Sequence, residues 1–210
     1  QIPGEHSVIS WPAYNGRFLN LYHTWNGWIG FFAPNILAGY SGIYDHAVDQ
    51  GLLRVMDPAV IPGHKFFGPA TLGSGLWTDD DSTYVEMWSS GVTADFWTYT
   101  SLAAGQTVHW TERWYAVSGI NGFSAANEHG ALRLAETWQG VEMEAAVTAV
   151  TPGTVQLYVN GTLADEWPVT LVPGPAWLML GQRPSGASGP LGLRLVDGSG
   201  VTLIAAGVTP

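Results

Sequence analysis

A chain of 210 residues with a formal net charge of −10 and only seven Lys plus Arg cannot build the basic patch that nucleic-acid phosphates or an anionic membrane surface require. The absence of cysteine excludes disulfides, thiolate metal sites and cysteine nucleophiles. Charged residues are 11% of the chain, against about 25% in ordinary domains, while 27 Gly and 13 Pro supply the turns that many short strands need.

The opening stretch QIPGEHSVIS has neither the basic nor the apolar region of a signal peptide and reads as the start of a mature or excised segment. No apolar run approaches the ~20 residues of a membrane span. An extracellular or cell-surface location is slightly favoured over a cytoplasmic one.

Residues 8–33 read as two strands separated by the turn AYNGR, the second running through FLNLYHTWNGWIGFFAP to Pro34. Tyr40–His46 is a glycine-bracketed strand and GLLRVMDP another. VIPGHKFFGP turns at Pro62–Gly63 into a short aromatic strand, and TLGSGLW is loop.

The stretch from Trp77 to Tyr115 holds five of the eleven tryptophans. In YVEMW, alternation puts Tyr84, Glu86 and Trp88 on one face and Val85 and Met87 on the other. In TVHWTERWY it puts Val108, Trp110, Glu112 and Trp114 opposite His109, Thr111, Arg113 and Tyr115. Each strand thus carries a carboxylate flanked by tryptophans. Two readings stay open: an aromatic core in which each Glu is held by a partner such as Arg113 or Arg133, or a sugar site. In the second, indoles cover the apolar face of a pyranose and carboxylates accept its hydroxyl hydrogen bonds.

Residues 116–130 are turn-rich, and ALRLAETW is a strand. Beyond it, Val141, Met143, Ala145, Val147 and Ala149 share one face of VEMEAAVTAV. VQLYV–NG–TLADEW is a hairpin whose Asn160–Gly161 pair fits a type I′ turn, which explains Asn160-Gly161-Thr162 better than a glycosylation acceptor does. PVTLVPG, AWLMLG, LGLRLVD and VTLIAA add short strands at the spacing of a small sandwich. No window holds a helical period. The fold class is all-β, an antiparallel sandwich over 1–140 followed by a small immunoglobulin-like sandwich over 141–210, the latter a structural or interaction module.

Asp79-Asp80-Asp81 lacks the spacing of a calcium loop and reads as a solvated turn. The six histidines never form HxH or HExxH, and no GxSxG, P-loop or GxGxxG is present, so neither a metal nor a cofactor is expected. The polar residues set among aromatics are His23, Asp45, His46, His64, Lys65, Glu86 and Glu112. A His/Glu pair from this set would suffice for acid–base work on a sugar.

The ordered series WPAYNGRFLN, TWNGWIGFFA, GIYDHAVDQGLLRV, IPGHKFFGP, WTDDDSTYVEMWSSG and WTYTSLAAGQTVHWTERWYAVSGINGFSAAN resembles an uncharacterised bacterial family, domain of unknown function 5107. That family is itself similar to the galactose mutarotase-like superfamily. The resemblance covers about residues 8–135, only the C-terminal half of the family domain. It implies an antiparallel supersandwich with a carbohydrate-directed groove. The superfamily's epimerases use a His and a Glu, for which His23 or His46 and Glu112 are the candidates. The expected sugar-binding set is Trp25, His46, His64, Lys65, Glu86, Trp88, Trp110, Glu112 and Trp114. Three functions follow: a carbohydrate-binding β protein, a glycan-active epimerase or glycosidase whose other half is missing, or a non-catalytic cell-surface or assembly module. Half a supersandwich leaves an open edge or face, so a homodimer or association with a missing N-terminal segment is expected.

Overall fold

The computed structural model describes residues 9–69, 77–80, 82–89, 93 and 99–207. The protein is all-β, its strands paired antiparallel into several sheets. Among the described residues there is no α-helix, only a 3-10 turn at Tyr22–Thr24, and hence no helix long and apolar enough to cross a membrane. Two compact units form: one from 1–36 and 60–106, the other from 37–59 and 107–210. The octapeptide at the N-terminus, most of TLGSGLW, and Asp81 lie outside the described residues.

The first unit holds the hairpin β1 (Ala13–Tyr14) and β2 (Arg17–Phe18), and a sheet ordered β3 (Ile29–Pro34), β6 (Gly63–Gly68), β7 (Glu86–Ser89). Asn15 and Gly16 both take positive φ, 47° and 74°, as the AYNGR turn requires. The single strand expected over 18–34 is broken. Thr24 Oγ1 bonds back to the carbonyls of Phe18 (2.7 Å) and Leu21 (2.8 Å), within the turn at Tyr22–Thr24 that interrupts the chain before β3 begins. One face of the sheet is the unit's core: Phe31 stacks on Phe66 at 5.3 Å, and Trp25 meets Phe31 edge-on at 5.5 Å. Gly68 permits the approach of Trp25; a Cβ there would lie 2.8 Å from its ring.

The second unit has three sheets. β4 (Tyr40–Asp45), β5 (Gln50–Met56) and β8 (Glu112–Ser118) form one. A second has the order β14 (Trp177–Gly181), β11 (Gly140–Val147), β10 (Gly130–Thr137), β9 (Ala125–Asn127). The third has the order β13 (Thr162–Leu171), β12 (Thr151–Val159), β15 (Leu191–Asp197), β16 (Thr202–Ala206). On β11, Val141, Met143, Ala145 and Val147 are buried against Val155 and Leu157 of β12 and Leu193 and Leu195 of β15. Each of the valines, leucines and the methionine contributes about 1.5–3 kcal/mol by burial. Ala149, expected on the same face, lies beyond the strand and is exposed. The opposite face of that sheet, with Ala126, Ala131 and Ala146, packs on Leu53 and Val117 of β5 and β8. Tyr115 Oη donates to the carbonyls of Asn127 (2.9 Å) and Gly130 (2.6 Å), and burial pushes its hydroxyl well above the ordinary tyrosine value.

Asn160 (φ 49°) and Gly161 (φ 77°) form the expected β12–β13 turn. The strand expected over TVHWTERWY starts only at Glu112. Its partner β5 ends at Met56, opposite Glu112, because Asp57 and Pro58 turn the chain away. The expected division between residues 140 and 141 falls inside a hairpin: β10 and β11 pair without interruption from Thr137↔Gly140 to Gly130↔Val147.

Candidate functional site: an aromatic face on the first unit

In the β3–β6–β7 sheet, the pairs Phe32↔Lys65↔Trp88 and Gly30↔Phe67↔Glu86 put these side chains on the face opposite the Phe31–Phe66 core. Two tryptophans outside the strands join them. Trp28, just before β3, meets Phe67 at 5.7 Å; Phe67 meets Trp77 at 5.7 Å; Trp77 stacks on Tyr84 at 6.1 Å and 18°. Trp28, Trp77 and Trp88 are 47%, 44% and 44% exposed. Contiguous aromatic surface left to solvent is costly unless something covers it.

The polar group in this row is Glu86. Tyr84 Oη donates to its Oε1 at 2.8 Å, and that hydrogen bond raises the Tyr84 hydroxyl above its ordinary value. Tyr22 Oη in turn donates to the Tyr84 carbonyl at 2.8 Å, tying the segment to the core face. A carboxylate oriented beside flat aromatic rings can accept from a polyol while the rings cover its C–H face.

The other residues expected to bind or act on sugar separate from this set. Glu86 with Trp88 and Glu112 with Trp114 share no sheet: β7 belongs to one unit and β8 to the other. The single groove expected from the two similar strands is therefore not a single sheet face. Trp25, expected to bind sugar, is a core residue; it is buried, and its Nε1 donates to the Leu19 carbonyl at 3.1 Å. His64 is buried on the sheet face away from Lys65. His23 is exposed in the 3-10 turn. Trp110 is exposed and precedes β8, while Trp114 is exposed on it.

Glu112 is engaged by Arg54, whose Nε and Nη2 donate at 2.9 and 3.4 Å. The expected partners, Arg113 and Arg133, do not hold it: Arg133 Nη1 instead donates to Glu142 (2.9 Å) and Glu144 (2.8 Å). Burial pushes Glu144 up, against the pull of Arg133. His46 is exposed beyond β4, its Nδ1 2.9 Å from Asn121 Oδ1. The ladder Asp45↔Gln50↔Ser118 sets His46 at the far end of β8 from Glu112, about 20 Å away at strand rise. His46 and Glu112 form no acid–base pair across one sugar.

A concavity of about 520 Å³ in the second unit is lined by Ser124, Leu134, Glu136, Arg183 and Gly189 among others, none of them in the expected sugar-binding set. Its guanidinium already spans Glu136, through Nε and Nη2 at 2.8 Å each, and the Gly189 carbonyl at 2.9 Å. Among the described residues no group of three or more His, Asp or Glu is placed to hold a metal. Trp28 and Trp77 join the aromatic face although neither belongs to the expected sugar-binding set; Trp77 stands outside any alternating run, and Trp28 falls within what reads as one long aromatic strand.

No family model matches this chain, and neither a curated protein nor a solved structure matches it.

Proposed function

We propose that the protein binds carbohydrate on the outer face of the β3–β6–β7 sheet. The observation that carries this reading is the aromatic row Trp28, Phe67, Trp77, Tyr84, exposed at its two tryptophans, with Glu86 oriented at its end. The row lies along the sheet with its tryptophans half-open to solvent, which suits a chain of sugars laid across it better than a single enclosed ring. Glu86 and Lys65 supply the hydrogen-bonding groups, and Trp88 extends the apolar surface. The resemblance to a mutarotase-like, sugar-directed family over residues 8–135 points to the same ligand class. The distance of His46 from Glu112 along β8 removes one of the two His/Glu pairs that a glycan-active enzyme would use, and the activity proposed is binding. The 125–206 sandwich, with its immunoglobulin-like size, serves as the structural module.

Intrinsic tryptophan fluorescence against a panel of neutral oligosaccharides tests the reading, with anomer exchange followed by NMR on every hit. Saturable emission change with unaltered exchange is expected. Emission indifferent to every glycan would overturn binding, and accelerated exchange would restore the enzyme.

A further inference from the structure

The chain has Asn-Gly steps at Asn15, Asn26, Asn121 and Asn160. In such a step the glycine nitrogen can attack the asparagine side-chain amide, because the glycine has no Cβ to obstruct the approach. Among the described residues, a titratable side chain hydrogen-bonds that amide only at Asn121, where His46 Nδ1 lies 2.9 Å from Oδ1. With Nδ1 carrying the proton, the imidazole donates to that oxygen. The same ring flanks the attacking residue: a Cβ on Gly122 would lie 3.8 Å from His46 Cε1 and 4.0 Å from Arg133 Cδ. The Gly122 N–H makes no hydrogen bond among the described residues. Asn121 itself is exposed and held at a φ of 46°. Tyr44 fixes it there, accepting from the amides of Ile120 (3.2 Å) and Asn121 (2.9 Å) while donating to Asp49. Asn160 differs: its side chain lies against Gly189, and no acid or base bonds its amide among the described residues.

We propose that Asn121 is a self-modification site, deamidated through a succinimide with His46 as the donor that activates its side chain. The Gly122 nitrogen, its proton lost to solvent base, forms a bond to Asn121 Cγ. The His46 Nδ1–H stabilises the negative charge that develops on Oδ1. Nδ2 takes up a proton and leaves as ammonia, which closes the succinimide. Water then opens the ring at either carbonyl, giving aspartate or isoaspartate. The sum is asparagine plus water to acid plus ammonia, with no oxidant, reductant or cofactor. The new carboxylate faces the His46 ring, so a charge pair can replace a neutral hydrogen bond. In the isoaspartate, one more backbone carbon enters between the tethered amide of residue 121 and Gly122. The modification therefore alters the loop between β8 and β9 as the chain ages. It is independent of the sugar-binding reading, because none of its groups lies on the β3–β6–β7 sheet.

Incubation of the whole folded chain in mildly alkaline buffer, followed by peptide mapping with mass spectrometry, reads conversion at each Asn-Gly step separately. Asn121 is expected to convert faster than Asn160, with both aspartate and isoaspartate among its products. His46→Phe keeps a ring in place and removes the donor. It should slow Asn121 at least about fivefold, the worth of one ordinary hydrogen bond, and leave the other steps unchanged. His46→Gln restores an N–H donor and should recover part of the rate. Thermal melts and the rates at the other steps establish that each variant is folded; should His46→Phe unfold, the comparison of wild type with His46→Gln in the folded state carries the test. Asn121 converting no faster than Asn160 in the wild type overturns the proposal. So does a folded His46→Phe chain whose Asn121 converts as fast as wild type or faster, or a folded His46→Gln chain no faster than His46→Phe.

Discussion

Arg54, with no exposed side-chain surface, holds Glu112 through Nε at 2.9 Å and lies over the Trp114 ring at 5.9 Å. The pair spans β5 and β8, so the carboxylate expected to act or bind on sugar is coupled to the packing of its own sheet. Removing one partner of a buried pair exposes the other to its full desolvation cost. Glu112→Ala is therefore expected to destabilise the second unit by about 3–5 kcal/mol, read by chemical denaturation. A loss below about 1 kcal/mol, the range of exposed pairs, would show that the pair does not hold β5 to β8.

Gly68→Ala tests the core of the first unit. The added methyl would meet the Trp25 ring at 2.8 Å, the Tyr84 carbonyl at 3.0 Å and the Tyr22 ring at 3.1 Å. Overpacking of this kind costs about 1–3 kcal/mol. Because Tyr84 orients Glu86, the variant should also weaken any glycan bound on the outer face. An unchanged denaturation midpoint would contradict the close packing of Trp25 on β6.

Asp197 sets the pH dependence of one turn. Hydrogen bonds from Ser199 Oγ (2.7 Å) and from the Val201 and Ser199 amides hold its carboxyl below the usual value of 3.8. With the folded value lowered, its contribution is present above the unfolded value and lost as pH falls through the folded one. Asp197→Asn should lower the melting temperature at about pH 7, with the deficit shrinking as the pH is taken below the usual carboxyl value of 3.8 and through the lowered folded one. A deficit that grows on acidification would reverse the assigned sign.

Local signals in the sequence located the hairpin turn at Asn160–Gly161, the strands read at Tyr40–His46 and GLLRVMDP (observed as Tyr40–Asp45 and Gln50–Met56), and the buried face of β11, because each depends on neighbours within a few residues. They also set Glu86 and Trp88 on one face. What they could not carry is which sheet a strand joins. β7 and β8 have the same Trp/Glu pattern, yet β7 pairs with β6 and β8 with β5. The partner of Glu112 is 58 residues away, and nothing in ERWY distinguishes Arg54 from Arg113 as its counter-ion. Trp77 reaches the aromatic face from outside the strands, where no period marks it, and Trp28 lies just before β3, two residues from Gly30 on the same face.

The most direct measurement is a glycan titration of four folded proteins: wild type, Trp77→Ala, Glu86→Gln and Trp114→Ala. If the ligand lies on the β3–β6–β7 face, Trp77→Ala should weaken binding by at least about tenfold. Glu86→Gln, which removes one charge-assisted acceptor, should cost about 1.5–3 kcal/mol, roughly ten- to a hundredfold in affinity. Trp114→Ala, on the other sheet, should bind as wild type. Affinity lost in Trp114→Ala and retained in both Trp77→Ala and Glu86→Gln would contradict the account.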